Sequence, residues 1–260
     1  MRTSFEYNGK SSLDMYIHIL NDISFPSPEA DIEFVEVLGR DGELAIDNGR
    51  LKSVTFSIPI SIKLPEDITV EEISTVISNW LKSDIGWHPL RFSESPDYEY
   101  IAMFYEQFSI SETLKNYGKT ILSFKLKPYK RQIGILPVEV NNGDTLLNVE
   151  KRKSKPLIHI DGIGDITIKN NGIDWLILES VDGNISIDSE TMSVYKDNIG
   201  QFNKMISTLS PMFPLLDSGK NKITWAGNIS KLIIDPRWEA IVWVFLSYTT
   251  PMRQIFQNLD

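Results

Sequence analysis

The stretch that most limits what this chain can fold into is "VTFSIPISIKL". Val54, Phe56, Ile58, Ile60, Ile62 and Leu64 take every second position, with Thr55, Ser57, Pro59, Ser61 and Lys63 between them. Successive side chains of a strand point to opposite faces, so this pattern gathers six apolar groups on one side. It predicts a half-buried antiparallel strand. Pro59 has no N–H to donate, which predicts a sheet edge or a bulge at that point. A helix should follow at once. Thr69 and Glu72 make a T-x-x-E capping pattern. Val70, Ile73, Ile77, Trp80 and Leu81 then fall on one side at helical spacing, from Val70 to Lys82. Trp80 on that stripe reads as a core residue.

Strands resume at "HPLRFS", "YEYIAMFYEQFSI" and "GKTILSFKLKP". Residues 1–131 are therefore expected to form a mostly β domain with one helix near 70–82. "KPYKRQIGILP" is the expected boundary, because two prolines and a basic cluster interrupt the alternation. Residues 132–260 are expected to form the second domain. Its strands read "PLIHI", "DITIKN", "DWLILESV", "NISID", "TMSVYK", "NKITW" and "ISKLIID". Its turns read "DGIGD", "NNG", "DGN", "DSE" and "WAGN". Strand and turn alternating every 8–12 residues or so reads as an antiparallel β-sandwich. An apolar tail follows Trp238. Its core, "AIVWVFL", favours a strand that could add an edge, return to the first domain or cover a neighbouring subunit.

Composition excludes several classes. The net charge is −9 (26 Lys and Arg against 35 Asp and Glu), which disfavours non-specific binding to nucleic acid or membranes, both anionic. There is no cysteine, so a disulfide framework, a thiolate zinc site and a Cys nucleophile are all excluded. The longest apolar run has seven residues, Ala240 to Leu246, where a membrane helix needs about 20. With no secretory h-region either, a soluble chain made in the cytoplasm is expected.

Candidate chemistry is sparse. His18, His88 and His159 lie far apart without metal-ligand spacing, and each reads as structural. Gly162 and Gly164 of "DGIGDIT" lack the third glycine and the helix of a dinucleotide fingerprint. The acidic runs "PEADIE", "RDGELAIDNGR" and "LPEDITVEE" leave acid/base catalysis open, since sequence cannot give the distance between two carboxylates. Solvated faces are their ordinary fate. Lys151, Arg152, Lys153 and Lys155 in "EKRKSKP" read as a solvated loop or as a contact with an acidic partner. Trp225, beside Gly227 and Asn228 at a turn, is the aromatic most open to stacking on a sugar. No catalytic, cofactor-binding or metal-binding residue is assigned.

Taken in order, the motifs resemble the distal tail (Dit) family of long-tailed phages of Gram-positive bacteria. "FEYNGKSSLDMYI" is similar to the family's opening. "VLGRDGELAIDNGRLKSVTFSIPISI" is similar to its Gly-Arg-acid-Gly loop, turn and long strand. "ISNWLKSDIGWHPLRFSESPDYEYIAMF" looks like its helix, strand and Ser-x-Pro-Asp-Tyr turn, and "SFKLKPYKR" like the closing strand. In the second half, "SKPLIHIDGIGDITIKNNG" and "ISIDSETMSVYKD" resemble the family's proline-led strand and Asp-Ser-Glu hairpin. "FPLLDSGKNKITWAG" supplies Phe213, Pro214, Leu216, Gly219, Asn221, Ile223, Trp225 and Gly227 to a further family pattern. The resemblance runs from residue 5 to about 238. The tail beyond "DPRW" departs from the family's short members, and the sugar-binding insertions of its longer members are missing.

The resemblance implies two antiparallel β-sandwich domains, the first with one packed helix and the second galectin-like. It implies a structural protein, not an enzyme, at the distal end of a virion tail of a phage or prophage. Six copies would close into a ring, or into two stacked rings, that lets DNA pass. Its partners would be the major tail tube protein and the tail-associated lysin or fibre protein, with the tape-measure protein as a further candidate. A carbohydrate-binding, host-adhesion module is the alternative. The His-x-Asn-x-Arg pattern of true galectins is missing at His159, where the chain reads "HIDGI".

Overall fold

The computed structural model describes residues 4–20, 23–24, 26–206 and 211–242. Within them the chain is mainly β, with one α-helix and every strand pairing antiparallel. The first half builds a sheet from β1 (Phe5–Tyr7), β2 (Lys10–Ser11), β3 (Ile17–Ile19), β6 (Val54–Lys63), β7 (His88–Phe92), β8 (Tyr98–Met103), β9 (Ser111–Leu114) and β10 (Tyr117–Gln132). Their order is β2-β1-β7-β8-β10-β6-β3, with β9 also on β10. A separate hairpin, β4 (Ala30–Val35) and β5 (Leu44–Leu51), pairs only with itself.

The six alternating apolar residues of 54–64 are all buried. Pro59 sits where expected. Its carbonyl accepts from Leu20 N–H at 3.0 Å, on the side of the short outer strand β3. A strand residue's N and C=O point the same way, so the missing donor faces that outer side and costs the β6–β10 ladder nothing. Helix α1 (Val70–Lys82) carries the complete Thr69–Glu72 capping box. Its buried face (Val70, Ile73, Ile77, Trp80 and Leu81) closes the first core over Phe5, Tyr7, Phe56 and Phe124. Trp80 stacks on Phe5 at 5.9 Å and donates its indole N–H to Tyr7 O.

The second half builds a sheet from β11 (Val138–Glu139), β12 (Thr145–Asn148), β13 (Leu157–Asn170), β14 (Ile173–Asp188), β15 (Ser193–Lys196), β16 (Ile199–Gly200) and β17 (Gly219–Asp235). It wraps a second core around Ile160, Ile168, Leu178, Ile187, Leu216 and Ile234.

Prolines and glycines that read as breaks in the sequence mostly bend strands here and do not end them. "KPYKRQ" does not break the first sheet. β10 runs through it to Gln132, and the register shift between Leu126 and Lys130 absorbs Pro128. Likewise "DGIGD", "DGN" and "WAGN" are not turns between short strands. They are bends inside three long ones, β13, β14 and β17. Register shifts at Asp161/Gly162, Gly164/Ile166 and Ile163/Thr167 line up across the sheet, so it curls upon itself there. Gly227 shows why glycine is needed. Its φ is +105°, and a Cβ there would lie 2.4 Å from Asp165 O. "NNG" and "DSE" do turn the chain, between β13 and β14 and between β14 and β15.

"FPLLDSGKNKITW" turns on Asn221, which is fully buried. Its Oδ1 accepts from Asn170 Nδ2 and Asp217 N–H, both at 2.8 Å, and its Nδ2 donates to Asp217 O at 2.9 Å. The stretch is a rigid lead-in pinned to a strand by one amide.

The tail after Trp238 returns to the first sheet. β18 (Glu239–Ile241) pairs with Tyr129–Arg131 of β10. Trp238 is buried in the second core and Val242 in the first, so the five residues 238–242 tie the cores together. The rest of "AIVWVFL", from Trp243 on, lies outside the described residues.

Gly227→Ala should cost about 2 kcal/mol or more, from left-handed strain plus a backbone clash. Gly200→Ala, with ordinary φ and open space, should be near neutral. Thermal unfolding of both variants checks this. Equal midpoints would mean that the bend does not depend on glycine.

Candidate functional site

Two places concentrate unsatisfied or paired chemistry: the junction between the sheets and the β4–β5 hairpin. At the junction Glu190, in the loop after β14, receives three cations. Lys127 Nζ donates to its Oε1 at 3.0 Å, Arg131 Nη2 donates to its Oε2 at 2.6 Å, and Arg237 Nη1 lies 3.6 Å from Oε2. Lys127 and Arg131 come from β10 of the first sheet. Arg237, just after β17, also donates to Asp188 Oδ1 at 2.9 Å. Burial alone would raise the Glu190 carboxyl, but Arg131 and Lys127 outweigh it and hold the group below the usual carboxylate range. Beside it Glu239 is buried. Burial and the Glu190 charge push its carboxyl up, against the pull of Lys155 and Arg131.

The "EKRKSKP" run is not simply solvated. Tyr98 O–H donates to Glu150 Oε1 at 2.6 Å, and the Arg152 guanidinium stacks 3.8 Å from the Tyr129 ring centroid. Lys130 lies 4.1 Å over the Tyr98 ring. Burial, then the Glu150 carboxylate, drives the Tyr98 phenol up. Only Lys153, paired with Asp217 at 2.8 Å, and Lys151 lie exposed in this run. Sequence could not show this contact, because the partners Tyr98 and Tyr129 lie 23 or more residues away in the chain.

A cleft of ≈ 190 Å³ opens at the junction, lined by Arg91, Glu99, Arg131, Gln132, Asp235 and Arg237 among others. Its guanidiniums are already matched. Arg91 meets Glu99 at 2.9 Å, and Arg131 and Arg237 meet the carboxylates above. The cleft is part of the joint.

His159 bridges Ser186 Oγ at 3.0 Å and Asp161 Oδ1 at 3.4 Å. The trio has the residue types of a hydrolase relay. It lies on paired strands, however, with Ser186 opposite His159 on one side and Tyr195 on the other. The ladder occupies the nearby N–H groups that would have to converge on an oxyanion. His88 Nε2 lies 2.9 Å from Asp84 O, and His18 sits on β3. No metal-binding group of three His, Asp or Glu forms among the described residues. Trp225, the expected sugar platform, is half-buried against the second core, with its backbone N–H and C=O both held by Asn142.

The structure brings two of the three acidic runs together. "PEADIE" and "RDGELAIDNGR" face each other across β4 and β5, with Glu33 opposite Ile46 and Ile32 opposite Asp47. No residue of either strand is buried. Phe34 is 61% exposed and Leu38, near the tip, is fully exposed. The hairpin is thus an acidic arm with apolar side chains in water. "LPEDITVEE" lies instead at the start of α1, where Glu72 caps the helix.

Replacing Glu190 by Gln should cost about 2 kcal/mol at pH 7, between the range for exposed pairs and that for buried ones. A carboxyl held low contributes stability above its unfolded value, near 4.3, and loses it as pH falls through the folded value. The difference between wild type and variant should therefore shrink as pH falls below the unfolded value and on through the lower folded one. Urea unfolding at pH 7 and pH 3.5 measures it, and an equal loss at both would mean that shape, not charge, holds the joint.

No family model matches the chain, and no curated protein matches it in sequence. Among solved structures it is similar to the crystal structure of SPP1 Dit (gp 19.1) protein, a paradigm of hub adsorption apparatus in Gram-positive infecting phages. Identity is 13%, the TM-score is 0.68, and the match covers 90% of this chain and 98% of that one. The chain has the fold of that protein over nearly its whole length.

Proposed function

We propose that the chain is a distal tail, or baseplate hub, protein of a long-tailed phage or prophage. Its copies close into a hexameric ring that joins the tail tube to the tail-associated fibre or lysin protein and lets DNA pass. The observation that carries this reading is a shared fold spanning 90% of the chain and nearly all of a hub adsorption protein. The ordered motifs of the sequence point the same way. Residues 1–131 build the ring, and residues 132–260 form the outward, galectin-like domain, with its tail reaching back to β10. The role is structural. The tightly paired junction suits it, because a ring closes only when each subunit presents its contacts at a fixed angle.

The exposed arm is the part of the fold most in need of a partner. Large apolar groups in water on a monomer mark an interaction site. Purified protein should give annular particles of about six subunits in negative stain, with a matching mass by light scattering. Replacing residues 31–50 by a short glycine linker should leave the two-core body folded and lower the mass to one subunit. A wild-type chain that stays monomeric at high concentration would refute the ring, and an unchanged mass on removing the arm would refute its part in assembly.

A further inference from the structure

Strands β6 and β10 lie side by side with their apolar residues turned into the first core. Their other face is open apart from Ser61, which is buried. On β10 it presents Lys119, Ile121, Ser123 and Lys125, opposite Ser61, Pro59, Ser57 and Thr55 of β6, and Lys63 ends the row. Neither strand contains an acidic residue. Lys63 and Lys119 are exposed, Lys125 is half-exposed, and Ile121 is 59% exposed. None of the three lysines has an ion pair among the described residues, whereas Lys127 and Arg131 further along β10 are both taken by Glu190.

The arm is the complement of this face. Asp31 and Glu29 are matched by Arg50 and Lys52 at its base. Glu33, Glu36, Asp41, Glu43 and Asp47 have no ion pair among the described residues, and they stand among Phe34, Leu38 and Leu44. So one molecule carries an unmatched acidic and apolar projection and an unmatched basic face with an exposed isoleucine. No ion pair joins the two among the described residues. Only Lys52 and Ser53 separate β5 from β6, and both strands of the arm remain exposed.

We infer that the arm of one copy docks across the lysine face of β6 and β10 on the next copy. This rests on the self-assembly proposed above and names its contact. Two different surfaces meet, so the contact is head-to-tail. Its repetition generates a ring rather than a closed dimer. Opposite charge fixes which surface receives the arm, and the apolar groups at the centre supply the desolvated contact.

Charge exchange tests the pairing. One variant carries Glu33→Lys, Glu36→Lys and Glu43→Lys. A second carries Lys63→Glu, Lys119→Glu and Lys125→Glu. A third carries all six changes. Sedimentation velocity should show each triple variant associating about tenfold more weakly or worse, with the six-change variant returned to the wild-type mass. Far-UV circular dichroism checks folding. The wild-type oligomer alone gives a second measure: it should dissociate as salt rises toward about 1 M, where surface attraction is screened. An oligomeric wild type with no rescue by the six changes, or with a mass indifferent to salt, overturns this contact and leaves self-assembly standing. A wild type that is monomeric at every concentration overturns both.

Discussion

Strand β10 is the constraint on which the rest of the structure depends. Along one edge it pairs with β6 and then β18, and along the other with β9 and then β8. A strand buried in a sheet must find partners for both rows of backbone groups. For ten residues β6 satisfies one row, from Tyr117 to Leu126. Beyond Pro128 that row has no partner in the first half of the chain. Residues 239–241, more than a hundred positions later, complete it. The first sheet is therefore completed by a segment that follows the second in the chain, and one strand sets the relation of both cores.

Electrostatics follow from that geometry. Lys127 and Arg131 stand four residues apart on β10, and both reach Glu190 in the loop after β14. Arg237 reaches the same carboxylate from the segment that leads into β18. Three cations on one partly buried acid form a network, and networks hold geometry better than isolated exposed pairs. Glu239 sits in the same place with its carboxyl pushed up, so the two acids respond to pH in opposite senses. Glu190 contributes stability above the carboxylate range. Glu239, bound more firmly to its proton when folded, contributes stability that is lost as pH rises through its raised value.

Local patterns were legible in the sequence; long-range consequences were not. The alternation at 54–64 and the box at Thr69 and Glu72 each state their own structure, because period and capping are local rules. Trp80 in the core follows from the same stripe. The three long strands of the second sheet read in sequence as six short ones, since a glycine that bends a strand looks in sequence like a glycine that ends it. Only the paired register tells them apart. The junction was hidden for a related reason. "EKRKSKP" has the look of a solvated loop, and the partners Tyr98 and Tyr129 lie in another sheet. The arm could be read as acidic, but not as a hairpin standing alone in water.

The fold is shared with the SPP1 protein at 13% identity, and most of its rules specify a type of residue and not a residue. Any apolar group of similar volume can serve at Ile58 or Ile168, and cores tolerate such exchange when pattern and volume are kept. Fewer positions admit no exchange. Gly227 has backbone at 2.4 Å where a Cβ would stand. Asn221 meets two donors and two acceptors with one amide. The surface has more freedom still, since a head-to-tail contact needs only that its two halves change together. A reversal of charge on the arm is tolerable when the receiving face reverses with it.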